Sequence, residues 1–278
     1  MLDLPYFDDL FEAFRYGDLK CEGMWGANVH FGYWQNPTMA TGSLADIIAA
    51  GKRMNEFHYR RLYLKPGARI LDVGCGFGGA ISQINDHFTG LDLVGLNIDS
   101  RQIKRAEKRV QGNKGNKVSF VEGNACQMPF ADRSFDHLIA IECAFHFESR
   151  LEFFKEAKRI LRPGGKCVVS DFILPKLGRP IAHKFLNQAW WFRRWGVFHP
   201  TSLNDYRDMI RTSGFSSVHY EDITNETIPH YDVMTNLMTQ EKLYPVTRKE
   251  SLWASIVLNV QKKMHLLKYF LFESTMGL

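Results

Sequence analysis

Asp72-Val73-Gly74-Cys75-Gly76-Phe77-Gly78-Gly79 is the stretch of this chain best equipped to hold a ligand. Its glycines remove Cβ atoms where a ligand must approach the backbone. Gly74, Gly76 and Gly79 satisfy G-x-G-x-x-G, which alone is a weak signal for a dinucleotide. Asp72 bears on the choice of ligand. A pyrophosphate seated on helix N–H groups is anionic, and a carboxylate just before the first glycine repels it. A ligand with a cationic end is attracted instead.

Glu142, His146 and Asp171 are the other candidates, each just beyond a short apolar run that reads as a strand. Ligands in open α/β sheets bind beyond the carboxyl ends of the strands. An imidazole with an ordinary pKa near 6.5 is mostly neutral at pH 7, so His146 can take a proton from a hydroxyl nucleophile. Asp171 can orient that ring and stabilise the imidazolium, as in other His–Asp pairs. A histidine at a helix start also serves as plain packing, and both roles stay open. Ser170-Asp171 lacks the G-x-S-x-G elbow of a hydrolase, and no His/Cys/Asp cluster has zinc spacing.

The elements that must position these residues alternate in type. Arg69 to Val73 is an apolar, β-branched inner strand, followed by a helix from about Ala80 to Phe88. Leu91 to Asn97 is a second strand. The next helix, Arg101 to Gln111, has Asp99 as N-cap, and its Arg101, Lys104, Arg105, Lys108 and Arg109 read as a solvated face. Further strands fall at Val118 to Glu122, His137 to Ile141, Lys166 to Ser170, from Gly214 to Val218, and Leu266 to Glu273. Helices fall at Phe153 to Leu161, stopped by Arg162-Pro163-Gly164-Gly165, and at Leu203 to Ser213. Such alternation is an α/β pattern.

Ahead of it, residues 3–20 form an amphipathic helix with Leu4, Phe7, Leu10, Phe11 and Phe14 on one side and Asp8, Asp9 and Glu12 on the other. An aromatic loop runs from Trp25 to Trp34. The helix Ser43 to Tyr63 has Ser43 as N-cap, with Asp46 in the capping-box place of Glu or Gln. The segment 176–203, with Trp190-Trp191-Phe192-Arg193-Arg194-Trp195, is too long for a simple connection and reads as an inserted helical cap over a small-molecule substrate. Residues 227–262 form a further helical insertion. The domain division is 1–64, a helical lid segment, and 65–278.

With 45% hydrophobic and 23% charged residues in 278, the composition is that of a globular protein rather than a disordered one. A net charge of +5 with no basic tail is poor support for nucleic acid. Five cysteines without a C-x-x-C pair argue against a disulfide framework and fit a reducing cytoplasm. No signal peptide or membrane-spanning run is expected.

The run apolar-apolar-Asp-apolar-Gly-x-Gly-x-Gly at Ile70 to Gly78 resembles the first motif of class I S-adenosyl-L-methionine (SAM) methyltransferases. Several later segments match that family in order: Gly123-Asn124-Ala125 for its Gly-Asp-Ala, Met128-Pro129-Phe130 to Phe135-Asp136, Arg162-Pro163-Gly164-Gly165, and Gly214-Phe215-Ser216-Ser217-Val218. The resemblance implies a Rossmann-like, doubly wound, seven-stranded and mostly parallel sheet with SAM as cofactor. It implies Asp72 near the methionine ammonium, directly or through water, beside Gly74 and Gly76. Asn97 stands where an acid is common, and with Gln102 it matches the sterol, cyclopropane-fatty-acid and natural-product branch, so both are assigned to the ribose. Leu96 and Ile98 are placed against adenine. Asn124 and Ala125 also contact adenine, the amide carbonyl of Asn124 replacing the family acid. Glu142 is placed with the cofactor, and Tyr33 and Trp34 resemble a lid over it.

Sugar and natural-product O-methyltransferases that resemble this chain carry a His and an Asp at the positions of His146 and Asp171. Here Phe145 replaces the first His of their His-His-Met. The resemblance is closest to O-methyltransferases that tailor polyketide and nonribosomal-peptide products, including microcystin-like peptides. An N- or C-methyltransferase, or a non-catalytic SAM- or NAD-binding module, stands as the alternative. The Asn/Asp-Pro-Pro-aromatic signature of nucleic-acid amino methylation is missing at Ile141-Glu142-Cys143-Ala144.

Overall fold

The computed structural model describes residues 4–15, 19–174, 199, 201–239, 259, 262 and 267–277. Seven strands make one sheet: β1 (Arg69–Val73), β2 (Asp92–Asn97), β3 (Lys117–Glu122), β4 (Phe135–Ile141), β5 (Leu161–Ile173), β6 (Ser217–Asp222) and β7 (Lys268–Thr275), in the order β3-β2-β1-β4-β5-β7-β6. The first five run parallel, and β7 lies antiparallel between β5 and β6. The chain builds outward from β1 to β3, then returns to place β4 on the other side of β1. That reversal opens a crevice at the carboxyl ends of β1 and β4.

Side-chain alternation assigns each strand residue to one of two cores. Ile70, Leu93, Ile139, Val168 and Leu271 face one side with α3 (Leu44–Tyr59) and α4 (Gly79–His87). Leu71, Val94, Leu138, Val169 and Phe272 face the other, against α6 (Arg150–Ile160) and α7 (Leu203–Thr212). Between them in sequence, α5 (Ser100–Arg109) connects β2 to β3. Asp99 caps α5 by accepting the N–H groups of Arg101 and Gln102. The short α8 (Thr224–Thr227) and α9 (Pro229–Thr239) follow β6.

Four expectations are revised. The N-terminal helix is two pieces, α1 (Pro5–Arg15) and α2 (Leu19–Trp25). Ser43 caps α3 as expected, but Asp46 does not turn back to it. Its Oδ2 accepts Thr41 N–H at 2.9 Å and the Trp34 indole N–H at 3.0 Å. Pro163-Gly164-Gly165 does not separate helix from strand. α6 ends at Ile160, β5 begins at Leu161, and the Pro-Gly-Gly passage is a bulge across which pairing moves from Phe135↔Leu161 to His137↔Lys166. The final strand runs two residues further than expected, to Thr275. The cap expected at 176–203 lies almost wholly outside the described residues, and the 227–262 insertion is described as helix to Thr239. No helix among the described residues is long and apolar enough to cross a membrane.

Candidate active site

A cavity occupies the crevice at the strand ends, with about 760 Å³ of space that includes the open solvent at its mouth. Val73, Gly74 and Gly76 form one wall, and Leu96, Asn97, Ile98 and Gln102 another. Asn124 and Ala125 follow β3, Glu142, Cys143 and His146 follow β4, and Tyr6 and Phe7 of α1, with Leu4 just ahead of that helix, close the side with Val29. Gly74 must be glycine on two counts. Its φ is +70°, and a Cβ would stand 2.7 Å from the Cβ and Sγ of Cys143. Gly79 opens α4 where a Cβ would meet Asn28 Oδ1 at 2.0 Å and Ala27 O at 2.5 Å. The loop after α2 is thus seated directly on the glycine turn.

Polar groups in the wall are held before any ligand arrives. Asn97 Nδ2 donates to Gln102 Oε1 at 2.9 Å, fixing the amide. Gln102 Nε2 is left buried without a partner, in a side chain that is 1% exposed. Asn124 Oδ1 already accepts Cys126 N–H at 2.8 Å, so one lone pair remains for a ligand. Glu142 sits in a left-handed backbone conformation, φ 51°. Its Oε2 accepts Phe31 N–H at 2.7 Å and the Tyr269 hydroxyl at 2.9 Å. Burial pushes its carboxyl up to about 8 in spite of both donors. Asp72 is also pushed up to about 8, by burial alone. It is not part of the cavity wall; its charge is felt by the thiols of Cys75 and Cys143, which burial and Asp72 together hold protonated.

His146 ends the 3-10 turn Ala144–His146 that follows β4, in the wall of the cavity. Its ring stacks on Tyr6 of α1, centroids 5.8 Å apart and planes 21° apart. Burial, then the charge of Glu142, holds the Tyr6 phenol well above its usual pKa, so it stays a neutral hydroxyl.

Residues 71–169 match the Methyltransferase domain family. The chain is 31% identical to the O-methyltransferase rstn1 of Aspergillus nomiae over 70% of this chain and 83% of that one. The chain belongs to the class I SAM-dependent methyltransferases. Methyltransferase GfsG of Streptomyces halstedii is 29% identical over 85% of this methyltransferase and 83% of its own length. The sterol 24-C-methyltransferase erg6 of Schizosaccharomyces pombe is 31% identical over 84% of this chain and 60% of its own. Among solved structures, the [4+2]-cyclase SpnF superposes with a TM-score of 0.76 at 18% identity, covering 100% of this chain and 98% of that one, a likeness of fold. This methyltransferase uses SAM, the cofactor of its family.

Against that family the structure sorts the residues singled out in the sequence. It brings Gly74, Gly76, Asn97, Ile98, Gln102, Asn124, Ala125, Glu142 and His146 around one cavity. It does not bring Tyr33, Trp34 or Asp171 there. Tyr33 stacks on Phe57 at 4.3 Å, and Trp34 is buried with its indole N–H on Asp46. The loop meets the cavity through Val29 and reaches Glu142 through the Phe31 backbone, because the side chains of Tyr33 and Trp34 turn to α3. Asp171 does not orient His146. Its Oδ2 accepts Arg150 Nε at 2.7 Å, and its Oδ1 accepts Phe172 N–H. Sequence reasoning missed Tyr6, Val29, Cys143 and Asn28. Tyr6 lies off the apolar stripe of its helix, and an aromatic residue placed off the stripe was the available signal.

Proposed function

We propose that this methyltransferase methylates a hydroxyl of a lipophilic small molecule, a natural product of polyketide or peptide type, with His146 as the base. The carrying observation is the place of His146, buried in the cavity wall at the end of β4. The residues present fit the cofactor. The unpartnered Gln102 amide offers a donor to a ribose hydroxyl, with Asn97 holding its other end. Leu96, Ile98 and Ala125 offer apolar faces to adenine, and Asn124 offers its remaining lone pair. Gly74 and Gly76 leave bare backbone for the methionine stem. Asp72, set behind Val73 and Gly74, answers the ammonium through water.

Bound SAM supplies a methyl group on a good leaving group, so the chain must align the acceptor, take its proton and exclude water. Leu4, Tyr6 and Phe7 exclude water from one side. His146 accepts the hydroxyl proton, and the Tyr6 ring stacked on it favours the resulting imidazolium.

Carbon methylation is the second reading. It is favoured by Glu142, a cavity carboxyl pushed up to about 8 and hence a stronger base than usual, and by the sterol methyltransferase relative. The test is a mass shift of one methyl across a panel of alcohols, amines and alkenes. His146→Ala should cut turnover by about 100-fold or more while SAM affinity holds within about twofold. Full activity in that variant, with loss in Glu142→Gln, transfers the reaction to carbon.

A further inference from the structure

Of the five basic residues of α5 that the sequence assigns to a solvated face, Arg101 and Arg105 are engaged, while Lys104, Lys108 and Arg109 are exposed. Arg101 Nη1 contacts Asp8 Oδ1 of α1 at 2.5 Å, while its other nitrogens hold Asp99, the N-cap of its own helix. The same guanidinium lies 4.9 Å from the Phe11 ring centroid. One turn on, Arg105 pairs with Glu22 of α2 and lies 4.5 Å from the Phe14 centroid. Phe11 and Phe14 in turn meet Phe77 of the glycine turn, edge to face, at 5.7 and 5.6 Å.

These contacts bind a part of the cavity wall that can leave without breaking the sheet. Tyr6 and Phe7 belong to α1, with Leu4 immediately ahead of it, and α1 is a helix of 11 residues that is marginal unless docked. Apart from Val29 in the loop after α2 and Gln102 on α5, the remaining described walls are strand ends and the turns that follow them. Arg101 is also the neighbour of Gln102, whose amide enters the cavity.

We propose that Arg101 and Arg105 are positioning residues of the cofactor site. They fasten α1 and α2 as its removable wall and thereby set how fast the cofactor product leaves. The inference rests on reading the cavity as the SAM site. The Arg101–Asp8 pair is exposed, at 50% and 73% of the side chains, so salt weakens it, whereas the Phe11–Phe14–Phe77 contacts are apolar and salt-insensitive.

The experiment is stopped-flow dissociation of S-adenosylhomocysteine from the full chain between about 50 mM and about 500 mM salt. For the wild type, the off-rate should rise several-fold with salt. Arg101→Gln/Arg105→Gln should release ligand about fivefold faster or more at low salt and lose the salt dependence, the scale expected of two screened pairs. Asp8→Asn/Glu22→Gln, which cuts the same pairs from the lid side and leaves α5 intact, should behave alike. It also serves if the arginine variant does not fold. Off-rates and salt slopes in the Asp8/Glu22 variant equal to those of the wild type would overturn the fastening. Gln102→Ala separates the two claims. If it leaves S-adenosylhomocysteine affinity unchanged, the cavity is not the cofactor site. If it weakens binding while both double variants match the wild type, only the fastening fails.

Discussion

Asp171 and Arg150 form an ion pair in the protein core, Nε to Oδ2 at 2.7 Å, with side chains 0% and 4% exposed. Arg150 is the first residue of α6, Asp171 lies near the end of β5, and Arg150 Nη1 also donates to the His199 carbonyl at 2.6 Å. His199 N–H in turn donates to Phe145 O, in the turn that carries His146. The carboxylate that the sequence gives to catalysis therefore braces the site from behind.

Removing one member leaves the other charge buried and unpaired. Asp171→Ala should cost ~3–5 kcal/mol of folding free energy, read from urea denaturation. Asp171→Leu with Arg150→Met should recover most of that loss, since a buried pair gains little over well-packed apolar groups. Equal stability of Asp171→Ala and wild type would show the pair to be unimportant.

Gln102→Ala removes a buried donor aimed at the proposed ribose position and its bond to Asn97. SAM affinity should fall about tenfold, the worth of one such hydrogen bond, in calorimetric titration. Gln102→Glu keeps the acceptor for Asn97 but replaces the donor with a carboxyl, and should bind as weakly as alanine.

The buried titratable groups pull stability in opposite directions with pH. Burial lowers His58 and His230 to about 3, so both are neutral when folded, while the unfolded chain takes up protons below pH 6.5. Their contribution is full above pH 6.5 and is lost as pH falls toward 3. Asp72 and Glu142, raised to about 8, act the other way. Their contribution is full below the ordinary carboxyl pKa of about 4 and is lost as pH rises through 8. Without cofactor, these four groups nearly cancel between pH 4 and 6.5, His30, which burial also lowers, adds to the acid loss, and stability declines from pH 6.5 to 8. Each group sets a slope of at most ~1.4 kcal/mol per pH unit. Urea midpoints across this range check it. Asp72→Asn should flatten the alkaline decline relative to wild type. His58→Asn keeps a donor for the Met54 carbonyl and should remove part of the acid loss.

Gly79→Ala should be costly although its helix position favours alanine. The new methyl would overlap Asn28 Oδ1 and the Ala27 carbonyl, so the loop must lift from the glycine turn. A loss of ~1–3 kcal/mol is expected, with weaker SAM binding because Val29 moves with that loop. Unchanged melting and affinity would show that the loop is not held there.

The sheet was legible because its signals are local. Apolar β-branched runs with turn residues at their ends placed β1, β2 and β4 within two residues, and Asp99 and Ser43 were found as caps by residue type. Glu142 and His146 were legible as strand-end positions, where ligands collect, while Asn97 and Asn124 were placed by the resemblance to the family, and the structure brings all four to one cavity. Tyr33 and Trp34 were misplaced because an aromatic in a loop carries no record of which neighbour it will face. Phe57 and Asp46, supplied by α3, took them.

From the order of its residues alone, this chain determines the α/β sheet and the glycine turn at the end of β1, because backbone conformation and strand burial are encoded within a few neighbouring positions, and its motifs carry the resemblance that implies the family cofactor. Only the tertiary structure decided which charges meet. Asp171 to Arg150 spans 21 residues and Arg101 to Asp8 spans 93. The buried pair is chosen by packing and by the penalty for burying an unpaired charge, the exposed one by the docking of α1 against α5, and neither leaves a trace in local sequence.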